Sequence, residues 1–95
     1  MSASQNNSGT SPRERVLALV ERILERPPGA APLSTTARLN ELGMSSMKMI
    51  SLMLAIEVEF DLAIPQAEIT PENFETIASV EATVARLLAS ARLPS

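Results

Sequence analysis

At 95 residues, 45% of them apolar, this chain can build one small core and no more. It has no Cys and no His, which excludes a disulfide framework, a thiolate or imidazole metal site, and a hydrolase triad assembled from this chain alone. A net charge of −3 argues against nucleic acid as a partner, and no apolar run approaches the roughly 20 residues of a membrane span, so no membrane partner is expected either.

Residues 1–10 are rich in Ser, Asn, Gln and Gly and have nothing to bury, so a disordered tail is expected there. They have neither the basic start nor the apolar stretch of a signal peptide, and the default compartment is the cytoplasm. One domain is expected over 11–91, followed by a short tail at 92–95. Ser11-Pro12-Arg13-Glu14 places a capping Ser, a Pro at the first helical position and a Glu three residues after the Ser. Val16, Leu19, Val20, Ile23 and Leu24 follow at helical spacing, and Pro27 and Pro28 end this first helix.

A connection from Pro27 to about Ser45 is long for so small a domain, and such connections are often functional. Leu33, Leu39 and Leu42 are expected to hold it against the core, and Gly43 ends it. A second helix is predicted from about Ser46 to Phe60, with Met49, Ile50, Met53, Ile56 and Phe60 as its apolar stripe and Leu52 and Leu54 widening it. Asp61 begins the exit and Pro65 bars continuation. Thr70-Pro71-Glu72 predicts a short third helix ending near Glu75, and Ser79 is the expected cap of a fourth, which runs to about Ala91 with Val80, Val84, Leu87 and Leu88 inward. The fold class is all-α: a small four-helix bundle of three longer helices and one short one.

The stretch Leu42-Gly43-Met44-Ser45-Ser46-Met47-Lys48-Met49 delivers two serines to the start of an amphipathic helix. Taken alone, it reads as one Ser capping the helix and the other incidental. The wider pattern resembles the acyl carrier protein family, whose signature Leu-Gly-x-Asp-Ser-Leu opens the second of four helices. Here that is Leu42-Gly43-Met44-Ser45-Ser46-Met47. The resemblance continues through Glu57-Val58-Glu59-Phe60-Asp61, Ile64-Pro65, Ile69-Thr70-Pro71-Glu72-Asn73-Phe74 and Ile77-Ala78-Ser79-Val80, covering about residues 12–91.

The resemblance implies a covalent 4'-phosphopantetheine arm on Ser46, with Ser45 at the position where the family usually has Asp. A phosphodiester on Ser46 would lie at the positive end of the helix dipole, and Ser45 is then free to cap. The missing Asp removes a carboxylate that the magnesium-dependent phosphopantetheinyl transferase commonly contacts, and a hydroxyl is a weaker partner for a hard cation. Met44, Met47 and Lys48 flank the site and are expected partner contacts. Lys48, Ser51 and Val58 stand where fatty-acid carriers usually have acidic residues that meet basic enzyme patches. They are either solvated positions free to vary or a face retuned for another partner.

A carrier of this kind is not an enzyme and needs no metal of its own. It would be a monomer that holds an acyl or aminoacyl group as a thioester and raises its effective concentration at each partner. The implied partners are the transferase, a loading ligase or acyltransferase, and a downstream acceptor enzyme. Gly-x-Ser-Ser and the reduced acidity are similar to stand-alone aminoacyl carriers served by an amino acid-activating ligase, which favours an amino acid cargo. The alternative is an unmodified helical interaction domain with the same fold.

Overall fold

Ser11 fixes where the first helix starts. In the computed structural model, which describes residues 11–92, the Ser11 Oγ accepts the Glu14 amide and the Glu14 carboxylate accepts the Ser11 amide, each at 3.2 Å. Two otherwise orphaned donors are thereby satisfied, and α1 runs Pro12–Ile23. The longest apolar segment forms α2, Ser46–Phe60, and the last forms α3, Ile77–Arg92. The expected tail at 1–10 and most of that at 92–95 lie outside the described residues.

Each helix contributes one row to a single core: Val16, Leu19 and Val20 from α1, Leu52, Ile56 and Phe60 from α2, Ile77, Val80 and Val84 from α3. Leu39 and Phe74, both in connections, close it, and Leu33 and Leu42 pack against it, so the long segment after α1 is tied down as expected. The start of α1 is clamped to the end of α2. Arg15 Nε donates to Glu59 Oε2 at 2.8 Å, its terminal nitrogen donates to the Glu59 carbonyl at 2.8 Å, and its guanidinium lies 4.5 Å over the Phe60 ring.

Three local expectations are corrected. The short helix expected after Thr70 is a set of turns at Pro71–Phe74, and a 3-10 helix forms just earlier at Gln66–Glu68. Thr70 Oγ1 does accept the Asn73 amide at 3.2 Å. The chain is then drawn out, because Arg38 and Thr76 form an isolated antiparallel bridge and the Leu39 amide donates to the Glu75 carbonyl at 2.9 Å. Those bonds take up the backbone that a further turn would need. The cap of α3 is Thr76, whose Oγ1 accepts the Ser79 amide at 3.1 Å while Ser79 Oγ accepts the Thr76 amide at 2.9 Å. Ser79 is thus the reciprocal partner within the first turn, not the cap. Finally, Ile50 and Leu54 point away from the core, and Leu52 is the fully buried member of the group.

Glu81 on α3 is poorly accommodated. Its Oε1 lies 3.4 Å from Arg13 Nε, and its Oε2 is buried without a hydrogen-bond partner. Burial raises its pKa, against the lowering pull of the Arg13 guanidinium. A carboxyl whose pKa is higher folded than unfolded favours folding when protonated. That contribution is full below the unfolded value and is lost as pH rises through the folded one. Glu81→Gln is therefore expected to raise the melting temperature at pH 7, and the gain should vanish near pH 4. Thermal melts of both proteins at the two pH values check this. An equal gain at both would mean that packing, not ionisation, is responsible.

Candidate functional site

The approach to α2 is shaped by a 3-10 helix, Leu39–Leu42, that ends on Gly43 at φ 97°, a left-handed conformation that glycine adopts without strain. The Met44 amide then donates to the Leu39 carbonyl at 3.0 Å, and the Met44 side chain turns into the core, 5% exposed. This corrects the expectation that Met44 is an exposed partner contact. It anchors the loop from within, as a member of the same buried cluster as Leu39.

With Met44 pinned, the two serines take different roles. Ser45 is the N-cap: its backbone is extended, its Oγ accepts the Lys48 amide at 3.2 Å, and its carbonyl accepts the Met49 amide at 2.8 Å. Ser46 is the first helical residue and its side chain is exposed. The amides of Ser46 and Met47 make no hydrogen bond within the described residues. No acidic residue stands in the first turn of α2. An anionic group esterified to Ser46 would meet open amide donors and the positive end of the helix, with no like charge in that turn. The residues present therefore fit a phosphodiester at Ser46.

The cap assignment predicts a difference in stability. Ser45→Ala is expected to cost about 1 kcal/mol through the lost cap. Ser46→Ala should stay within about 0.5 kcal/mol, as for other surface substitutions. Urea denaturation of both variants decides it, and the reverse order would exchange the two roles.

Met47 is exposed beside Ser46, as are Ser51 and Val58 further along α2, while Lys48 is half-buried. Met49 and Met53 pack against the core. On the other side of the helix start lies an open cleft of about 390 Å³, lined by Arg38, Asn40, Met49, Pro71, Glu72, Phe74 and Glu75. Its walls were not apparent from sequence spacing, because they come from three separate segments brought together by the Arg38–Thr76 bridge and the Arg38–Glu75 ion pair, 3.5 Å. Ile50 and Leu54 were also missed as surface residues. α2 is apolar on most of its circumference, so periodicity alone does not separate its inward from its outward positions.

Comparison with known proteins bears on this site. The family described as "Phosphopantetheine attachment site" matches residues 14–87. The chain is 47% identical over 75 residues to Aminoacyl carrier protein 1 of Bradyrhizobium diazoefficiens, an alignment covering 79% of this chain and 83% of that protein. Among solved structures, it is similar to a chain of the Bradyrhizobium japonicum glycine:[carrier protein] ligase complexed with glycylated carrier protein. That match has 45% identity and a TM-score of 0.64, and covers 77% of this chain and 99% of the other. A holo acyl carrier protein from Nitrosomonas europaea matches with a TM-score of 0.72 at 23% identity, over 84% of this chain and 99% of the other, which establishes likeness of fold alone.

Proposed function

The chain belongs to the phosphopantetheine-attachment family of carrier proteins, and on that premise we propose that Ser46 carries the 4'-phosphopantetheine arm and that the holo protein carries an amino acid for a separate ATP-dependent ligase. The observation that carries the reading is the division of labour at the start of α2: Ser45 Oγ is engaged by the Lys48 amide, and Ser46 Oγ stands exposed next to open backbone donors. When bound, the group supplies a terminal thiol that holds the cargo as a thioester. This chain's own residues fix where that arm begins. Gly43 turns the backbone, Met44 pins the loop, Ser45 holds the helix start, and the amides of Ser46 and Met47 would be the donors for the phosphodiester. Catalysis rests with the partners, and residues 11–91 are the tether's mount and recognition surface.

An amino acid is favoured as cargo on two grounds. The relatives named above include an aminoacyl carrier protein and a chain of a glycine ligase complex. In addition, the residues beside Ser46 are Met47 and Lys48, not acids. A phosphopantetheinyl transferase and a downstream acceptor complete the set of partners. No helix among the described residues is long and apolar enough to cross a membrane, and a cytoplasmic setting, with its coenzyme A and ATP, suits this work.

The test is intact mass. Co-expression with a broad-specificity transferase should add one phosphopantetheine. Incubation with the Bradyrhizobium japonicum glycine:[carrier protein] ligase, glycine and ATP should then add one glycyl group. A chain that takes no arm would be an unmodified interaction domain. A chain that takes the arm and accepts only fatty acyl groups would lose the amino acid assignment.

A further inference from the structure

A thioester is open to attack by thiolates, imidazoles and amines, and this chain holds almost none of them. It has no Cys and no His, and seven of its eight cationic side chains are Arg. A guanidinium keeps its proton and is no nucleophile, so those positions have charge without reactivity. The one Lys in the sequence is Lys48, and it stands two residues from Ser46.

Its placement suits attack. Lys48 lies in the first turn of α2, about 3 Å further along the axis than Ser46 at about 1.5 Å per residue. Its amide donates to Ser45 Oγ, which fixes the backbone and leaves the side chain uncommitted. The ion pairs among the described residues use Arg13, Arg15, Arg38 and Arg86, and none uses Lys48. The first turn of α2 has no acidic residue, so no carboxylate there holds the amine. Lys48 is half-buried, yet Glu81 Oε2 is the only buried side-chain polar atom without a partner among the described residues. The Lys48 amine, which pairs with none of them, therefore reaches solvent while its stem lies on the protein. A short flexible tether rooted on Ser46 presents its end to that amine at an effective concentration on the order of millimolar.

We propose that Lys48 is a self-acylation site, which takes the amino acid from the arm by intramolecular transfer from sulfur to nitrogen. The inference rests on the carrier reading. The unprotonated Lys48 Nζ adds to the thioester carbonyl. The C–S bond breaks, an amide C–N bond forms, and the proton lost by nitrogen goes to the departing thiolate, which leaves as the free thiol. No oxidant or further reactant is consumed. The amide is far less reactive than the thioester, so the cargo is stranded on α2 while the arm is free to load again.

The experiment uses the holo protein loaded with glycine by the Bradyrhizobium japonicum ligase, or given a glycylated arm directly from glycyl-coenzyme A by a broad-specificity transferase. After incubation, neutral hydroxylamine strips thioesters and leaves amides, and intact mass with peptide mapping reads what remains. Wild type should keep a glycyl group on Lys48. Lys48→Arg retains the charge and the capped amide but lacks the nucleophile, so it should keep no glycyl group at that position and should hold its thioester longer. The transfer should be first order, with a rate constant that stays within about twofold over an approximately tenfold dilution, because the tether fixes the local concentration. Ser46→Ala mixed with loaded wild type should stay unmodified. Loaded wild type with no hydroxylamine-resistant glycyl group on Lys48 overturns the proposal and leaves the carrier reading standing. Glycyl transfer to Ser46→Ala, or a rate constant that falls with dilution, overturns the intramolecular step. A chain that takes no arm overturns both readings, and its unchanged mass tells that case apart.

Discussion

Ser46→Ala is expected to abolish attachment of the arm, and with it all loading, while Ser45→Ala remains a substrate. The two side chains are neighbours with the same hydroxyl, so the difference must come from position. Ser45 Oγ accepts the Lys48 amide at 3.2 Å and is committed to holding the first turn. Freeing it for reaction would leave that amide unpaired and fray the helix. Ser46 Oγ has no such commitment, and the open amides of Ser46 and Met47 favour the phosphodiester once formed. Ser45→Ala keeps the nucleophile but loosens its mount, so modification should continue at a reduced rate. The measurement is intact mass and peptide mapping after treatment with an active transferase and coenzyme A. An arm found on Ser45 in the Ser46→Ala protein would show that proximity to the helix end suffices and that the cap does not choose between the serines.

What the sequence made legible follows from how local each signal is. The capping box at Ser11, the glycine turn at Gly43 and the span of α2 are written in adjacent residues and appear in the structure, whereas α1 ends at Ile23, ahead of the expected stop at Pro27 and Pro28, in a turn where Glu25 takes a φ of 58°. The cap of α3 was misplaced by three residues because Thr76 and Ser79 cap reciprocally, and either alone looks like the start. The turns at Pro71–Phe74 were read as a helix because the local signal for one is present. The Arg38–Thr76 bridge that competes with it joins positions 38 residues apart, a pairing that no local pattern announces. The exposed Ser46 and Met47 were legible from their place at the helix start. The inward turn of Met44 was not, since it depends on the 3-10 helix before it.

The largest effect on stability is expected at Leu52, where the sequence was ambiguous. Met49, Ile50, Leu52, Met53, Leu54 and Ile56 all fall within two turns of α2, and their chemistry does not rank them. The structure does. Leu52 is fully buried between α2 and the rest of the core, while Leu54, two residues on, faces solvent. Leu52→Ala removes three buried carbons from a close-packed site and leaves a cavity, at a cost of about 2–5 kcal/mol. A domain of this size is stabilised by roughly 0.05–0.15 kcal/mol per residue, so that loss takes a large share of the total. Leu54→Ala should change stability by no more than about 0.5 kcal/mol, since its contacts are mostly with water. Urea denaturation followed by circular dichroism compares them directly. Leu52→Ala should lower the unfolding midpoint steeply, and Leu54→Ala should leave it in place. Similar midpoints for both would mean that α2 is rotated about its axis from the position described.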